Sequence, residues 1–463
     1  MTIEDAPAPA LEVAPLRRDR RRGDAGTGPV ALGWVDDASV APTTSPGMPA
    51  VQPDLLANAP RRKPFRPGTV IPTAIILALL ALYAATTLLW PLHAVAPTVA
   101  AIEVQPVAAP AAALPWPAEG SAAVEISGIG TLASAEDAVP MASITKVVTA
   151  LLVLEEMPLA QGEQGPDFAF TSADRAAYWS YLSNNESALN VPVGGTLSEY
   201  QMLQGMLMGS AGNYADRLAG NLWPSDVVFA KAANTWLSAH GVPGITIVEP
   251  TGIEYDNLAS PSALLKLGEK ALANPVIAEI VATRSVDLPG AGIVENTNGL
   301  LADPGMLGIK TGSLDGFNVL SAKQITIGAT PVRLYVSMLD QPDDETRVAA
   351  SRALYTALEQ ELQLRPSVTA GTVVGTVTTR WGEKADIVVS SDADVVLWNG
   401  GVATAQTTYA LGDHRDDGDT VGSLEVAGPV DTAQVDIQLA GDIEPPSAWW
   451  RLTHPLDLFG LNG

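Results

Sequence analysis

Between Val70 and Trp90 the chain carries no charged residue, and Ile, Leu, Ala and Val dominate. In hydrocarbon such a run must satisfy every backbone N–H and C=O internally, which an α-helix does, and about 20 residues cross the ~30 Å apolar layer. The stretch is therefore expected to span a membrane once. Arg61, Arg62, Lys63 and Arg66 stand just before it, and Trp90 marks its far end. Bases on one flank place the N-terminus in the cytoplasm and everything after Pro91 outside. A cleaved signal peptide fits less well, because the run is long and a tail of about 60 residues precedes it.

The remaining chain sorts by texture. Residues 1–66 are rich in Ala, Pro, Gly and Asp without an apolar period, and are expected to be a disordered cytoplasmic tail. Its Arg17, Arg18, Arg20, Arg21 and Arg22 form a basic run that either touches anionic lipid or is simply solvated. The membrane helix occupies 67–91, and the Ala/Pro/Val-rich stretch 92–117 reads as a linker. A folded body follows over 118–365, then a small β domain over 366–443 and a C-terminal tail, 444–463. In that tail Trp449 and Trp450 stand beside Arg451, suited to a membrane interface or to packing on the β domain.

Composition excludes much chemistry. There is no cysteine, so disulfides and thiol nucleophiles are absent. The four histidines, His93, His240, His414 and His454, form no metal-binding pattern, and neither metal nor cofactor is expected. Acids outnumber bases 51 to 26, which argues against nucleic-acid binding.

Within the body, residues 122–126 and 130–132 look like two short strands around a glycine turn. Apolar residues at 144, 147, 148, 151 and 154 predict a helix that ends before Pro158. Thr196 and Glu199 form a capping box for a helix through Met202, Leu203, Met206 and Leu207. A break at 209–213 precedes a helix to Trp223, and Pro224 opens another that ends near Gly241. Strand signals return at 306–311, 317–322 and 332–336, joined by turns that suggest antiparallel hairpins. Residues 343–364 form a last amphipathic helix with Val348, Leu354, Leu358 and Leu362 as its buried stripe. Strands segregated from a block of helices indicate an α+β fold.

Three short motifs suggest a site. Ser143 and Lys146 lie one turn apart near a helix start. A serine hydroxyl becomes nucleophilic when a neighbouring base takes its proton, and a lysine serves if its pKa is lowered from ~10.4. The helix N-terminus supplies N–H groups where an oxyanion would form. Lys310, Thr311 and Gly312, followed by Ser313, suit a carboxylate: a charge, hydroxyls and close backbone approach. Ser210 and Asn213 flank an interhelical turn that can enter a cleft.

Singly these motifs are common. In this order, Ser-x-x-Lys, then Ser210 with its amide, then Lys-Thr-Gly, they resemble the low-molecular-mass penicillin-binding proteins, the serine-type D-Ala-D-Ala carboxypeptidases. Met141–Lys146, Thr251-Gly252-Ile253, Asn296-Thr297-Asn298 and Gly308–Gly312 all look like that family. The resemblance covers roughly 118–364. It implies an antiparallel sheet with a helical subdomain, β-lactamase/transpeptidase-like, and the β domain resembles the family's C-terminal domain more loosely.

What the resemblance implies for roles follows. Ser143 is the acylated nucleophile, Lys146 its general base, and Ser210 a proton shuttle toward the leaving amine. Lys310 and Thr311, with Gly312, hold the substrate's terminal carboxylate. The backbone N–H groups of Ser143 and Ser313 form the oxyanion hole. The substrate is a peptidoglycan stem peptide ending in D-Ala-D-Ala, and β-lactams are covalent inhibitors. A transpeptidase or β-lactamase of the same fold, or a catalytically weakened wall-binding scaffold, are the alternative activities. One departure stands out: the family reads Ser-x-Asn, whereas here Gly212 is third and Asn213 fourth. Either Asn213 takes over through a shifted turn, and Asn213→Ala then lowers D-Ala release by about 10²-fold, or the contact is lost, Asn213→Ala is nearly silent and Gly212→Asn is the change that can raise activity.

Overall fold

The computed structural model describes residues 67–92 and 95–462. The expected tail over 1–66, with its arginine run and the bases before the apolar stretch, lies outside the described residues. The chain forms two units, 1–76 and 77–463. In the first, the described residues are the opening turns of helix α1, Pro67–Leu89, which carries on into the second. This helix is long and apolar enough to cross a membrane, with mean hydropathy 2.1. Its isoleucines and leucines are exposed all round. The Thr73 and Thr86 hydroxyls donate back to the carbonyls of Thr69 and Leu82, both at 2.7 Å, so these side chains hide their polarity within the helix.

The second unit is built on a five-stranded antiparallel sheet in the order Met306–Ser313, Phe317–Ile327, Thr330–Gln341, Ser121–Ile126, Gly130–Ala133. Side chains alternate between its faces. Ala122, Val124, Ile126, Leu334, Val336 and Met338 pack on one face against Leu354, Tyr355, Leu358 and Leu362 of or just beyond helix α9, Asp344–Glu361. Ala123, Ile309, Leu320, Ala322, Tyr335 and Leu339 pack on the other against a helical block. Both faces are covered, which is why apolar residues stand on both faces of the central strands. At ~25 cal/mol per Å² of buried apolar area, the two cores are the main stabilising contribution.

The helical block comprises α2 (Thr145–Glu156), α3 (Ser172–Ser183), α4 (Glu199–Leu207), α5 (Gly212–Leu222), α6 (Asp226–Ala239), α7 (Pro261–Ala273) and α8 (Pro275–Ala282). Three of these, α3, α7 and α8, have no counterpart in the sequence reading. Helix α3 buries no residue, so it carries no apolar stripe to detect, although Thr171 and Asp174 cap it reciprocally. Ser260 and Asn274 cap α7 and α8, each followed by a proline that suits a first turn.

One cap differs from expectation. Thr196–Ser198 is a strand paired with Asp167–Ala169, so the capping box of α4 is Ser198 with Gln201 rather than Thr196 with Glu199. Glu199 consequently enters the fold. It is fully buried, and neither of its carboxylate oxygens has a hydrogen-bond partner. Burial pushes its pKa up to about 7. Because the folded-state pKa is raised, the folded protein binds the proton more tightly, and stability is lost as pH rises from about 4.5 to about 7. Glu199→Gln is expected to remove that slope and to be more stable than the parent above pH 7 by ~1–3 kcal/mol, the cost of an unpartnered buried polar group. Urea midpoints at pH 5 and 8 check this; a wild type equally stable at both values sinks it.

A second sheet has six strands, in the order Thr98–Ala101, Val373–Thr378, Lys384–Val389, Thr432–Ala440, Thr420–Ala427, Thr404–Tyr409, all antiparallel. Its first strand comes from the stretch expected to be a linker. Beyond that strand the chain stays bound: Val107 N donates to Ser367 O at 2.7 Å, Ala109 N to Gly401 O at 2.9 Å, and Ala113 N to Glu361 at 2.8 Å. The alanines and prolines of 98–113 therefore edge a sheet instead of forming a free spacer. The C-terminal tail is also ordered. Helices α10, Ala448–Thr453, and α11, Pro455–Leu458, lie against the end of α1. Tyr83 Oη donates to Leu452 O at 2.6 Å, Arg451 donates to Trp90 O at 2.9 Å, and Trp90 meets Phe459 edge-on at 4.7 Å.

Candidate active site

The site lies where the first turn of α2 meets the edge strand Met306–Ser313. Ser143 sits in a 3-10 turn, Ala142–Ile144, that leads into α2. Lys146 follows one turn later and is almost fully buried. Its Nζ donates to Ser143 Oγ at 2.9 Å and to the Thr251 carbonyl at 2.5 Å. Burial lowers its pKa from 10.5 to about 8, against the raising influence of Glu249, Asp216 and Glu186. The pairing of hydroxyl and amine expected from their spacing is thus present in space.

Glycines allow the strand and loop to close on this turn. A Cβ at Gly312 would stand 2.9 Å from Met141 O and 3.0 Å from Ser143 N, so only glycine lets the strand run so near. Gly252 has φ +82, and a Cβ there would overlap the Ala142 carbonyl. Ala142 and Ser210 are themselves non-glycine residues with positive φ, 51° and 59°. Such strained backbone is held only where its surroundings over-determine it.

Lys310, also buried, donates to Ser210 Oγ at 3.0 Å and to its neighbour's carbonyl, Thr311 O, at 2.9 Å. Burial drives its pKa well below the usual value, and the charges of Lys146 and Arg347 add to this. Thr311 Oγ1 lies 2.6 Å from Thr297 Oγ1. Ser143 and Lys146 from the turn into α2, and Ser210 with Lys310 where the α4–α5 turn meets the edge strand, are thus held as two hydrogen-bonded pairs, with Gly312 closing on Ser143 N and Ser313 next on the strand.

Asn213 does not join them. Its Oδ1 accepts from Leu189 N at 3.1 Å and its Nδ2 donates to Leu189 O at 2.8 Å, so the amide braces the 187–190 segment. Of the two readings left open by the motif, takeover by Asn213 has no support in this geometry. Nor is there space for an asparagine at 212, because a Cβ there would collide with the Tyr181 ring.

Several residues of the site carry no sequence signal. Glu249 is a hub: its buried carboxylate accepts from Thr251 N and Oγ1, both at 2.6 Å, from Ile253 N at 2.9 Å, and from Asn257 Nδ2. Asn257 in turn offers its carbonyl to Met141 N at 2.9 Å. One carboxylate thereby fixes both the loop that holds Lys146 and the turn that holds Ser143. Arg347 of α9 reaches under the sheet to Asn318 O at 2.8 Å, and Asn318 Nδ2 reaches Pro140 O at 3.0 Å. A glutamate before Pro-Thr-Gly and an arginine in an amphipathic helix look like surface charges until the fold buries them.

Comparison with known proteins agrees with the motif order. Residues 131–326 match the family described as D-alanyl-D-alanine carboxypeptidase. The chain is 29% identical over 210 residues to D-alanyl-D-alanine carboxypeptidase DacB2 of Mycobacterium tuberculosis, covering 43% of this chain and 66% of that protein. It is 30% identical over 172 residues to a D-alanyl-D-alanine endopeptidase of Pseudomonas aeruginosa, covering 35% of this chain and 50% of that protein. It thus spans between half and two thirds of the length of these curated relatives. A peptidoglycan synthesis regulatory factor (PBP3) from Streptococcus pneumoniae superposes with TM-score 0.49 at 19% identity, covering 70% of this chain and 99% of that one. With the serine–lysine pair, the lysine–threonine–glycine strand and the sheet-and-helix architecture in place, the segment 131–326 is a domain of the D-alanyl-D-alanine carboxypeptidase family, as its motifs implied.

Proposed function

We propose that this protein is a membrane-anchored serine D-Ala-D-Ala carboxypeptidase that acts on peptidoglycan stem peptides outside the cell and is acylated by β-lactams at Ser143. The observation that carries the reading is Lys146 Nζ at 2.9 Å from Ser143 Oγ inside a site that lowers the lysine pKa to about 8. At pH 7 about a tenth of such a lysine is the free amine, enough to act as general base. Ser143 Oγ attacks the carbonyl of the penultimate D-Ala, and its proton passes to Lys146 Nζ. The N–H groups of Ser143 and Ser313 stabilise the oxyanion. Ser210, linked to Lys310, relays a proton to the leaving amine, and the terminal D-Ala departs. Lys310 and Thr311, beside Gly312, receive its carboxylate. Water then hydrolyses the acyl-enzyme.

Support for the membrane reading comes from α1 and from the contacts at its end. Arg451 donates to the Leu88 and Trp90 carbonyls, a cation on the C-terminal end of the helix. Trp449, Leu456 and Leu461 beside it are exposed apolar side chains, as an interfacial segment requires. The bases that precede Val70 put the N-terminus in the cytoplasm.

Intact-mass spectrometry with a penicillin tests the assignment. Wild type is expected to gain one adduct and Ser143→Ala none; equal gain on both overturns it. Acylation is expected to rise about tenfold per pH unit and to level off near pH 8, because the reactive form is the deprotonated lysine.

A further inference from the structure

Helix α5 opens with Gly212 and carries Asp216 one turn later on the same face. Tyr181, from the far end of α3, lies across that turn. Its Cε1 occupies the space that a side chain at 212 would enter. Its hydroxyl donates to the Asp216 carboxylate. The ring and the missing side chain are therefore alternatives: one excludes the other.

Lys146 has three donors. Two go to Ser143 Oγ and Thr251 O, and Asn213, committed to Leu189, is not an acceptor for the third. Where an amide at 212 would stand there is the Tyr181 ring, and Asp216, which the ring's hydroxyl holds, is one of the acids whose charge acts on Lys146. We propose that Tyr181 and Asp216 form a positioning pair that replaces the amide at Gly212: the ring holds the Ser210–Gly212 turn in place, and the hydroxyl keeps Asp216 ionised as the counter-charge for Lys146. This rests on the function proposed above.

The electrostatics set the direction of the effect. Asp216 raises the proton affinity of Lys146, and burial raises that of Asp216 itself to about 6, with the Tyr181 hydrogen bond opposing. Four other charges act on these two groups or beside them. They are Glu249 from the loop at 249–257, Glu186 from the segment after α3, Asp226 at the start of α6 and Lys310 on the edge strand. All four are unchanged by substitutions at 181 and 216.

Replacing Asp216 by Asn removes one of the three acidic charges that act on Lys146, after Glu249 and beside Glu186, so Lys146 gives up its proton more readily. The rising limb of the acylation pH profile then moves to lower pH by about half to one unit. Tyr181→Phe keeps the ring and removes the donor, so Asp216 binds a proton nearer neutrality. The limb moves in the same direction by a smaller amount, and the double variant behaves like Asp216→Asn alone. The experiment measures penicillin acylation rates of the full chain from pH 5 to 9, with the adduct mapped by peptide mass and thermal midpoints recorded. A Ser143 adduct with the limb shifted downward in both variants supports the pair. A Ser143 adduct with wild-type limbs in both overturns it and leaves the proposed function standing. An adduct elsewhere, or none on wild type, overturns the function and the pair together. A second readout tests the ring: Gly212→Ala is expected to be more than tenfold slower in the parent and to recover in a Tyr181→Ala background, whereas equal losses in both backgrounds refute mutual exclusion.

Discussion

Lys146→Ala is expected to slow acylation by about 10³-fold, within the ~10²–10⁴ that a positioned general base supplies. The loss follows from the geometry: no other nitrogen or carboxylate is hydrogen-bonded to Ser143 Oγ among the described residues. Lys146→Arg distinguishes a base from a mere charge. A guanidinium retains the charge and can still donate to the Thr251 carbonyl, but it does not deprotonate in proteins. Arginine is therefore expected to be as poor as alanine. Stopped-flow acylation by a chromogenic β-lactam measures both, and an arginine variant within tenfold of wild type would refute the role of the amine as base. Thermal midpoints accompany the rates, since alanine leaves Glu249, Asp216 and Glu186 without the cation on which they act.

Gly252→Ala carries the second large effect. The alanine methyl would overlap the Ala142 carbonyl and stand 2.9 Å from Ser143 N, at a residue whose φ is +82. Either the Ala142–Ile144 turn or the 249–257 loop must move, and each holds one of the two acceptors of Lys146. A misplacement near 1 Å costs on the order of 10² in rate. Gly194→Ala separates this from ordinary backbone strain: its φ is +81, yet nothing lies within 4 Å of its Cβ. Both variants pay the left-handed penalty of ~1–2 kcal/mol. Gly252→Ala is expected to lose about 10²-fold in kcat/KM beyond that, and Gly194→Ala to keep wild-type kinetics. Equal kinetics in the two would show that close approach at 252 contributes nothing.

Much of the site was legible because its chemistry is local. Ser143 and Lys146 face one another because they are three apart on one helical turn, and Lys310 with Thr311 shares a strand. The α+β architecture was readable from strands that group apart from helices. The residues that escaped act at a distance in sequence. Glu249 matters through the turn at 141–144, more than a hundred residues upstream, and Tyr181 matters because it fills a space left by a glycine 31 positions later. No periodicity encodes such complementarity. Asn213 misled for the same reason: an amide next to a motif invites a role in it, and only the partner, Leu189, reveals a brace. The stretch 92–117 misled because alanine and proline suit an edge strand as well as a spacer.

The pairing of that stretch with the β domain, together with the grip of α10 and α11 on the end of α1, changes how far the enzyme can reach. A free 26-residue tether would let the body roam over a radius of about 25–30 Å. Here the chain leaves the helix and at once joins the sheet, and the far terminus returns to the same spot. The segment that follows α1 is therefore part of the folded unit rather than a free tether, and so is the C-terminal pair of helices.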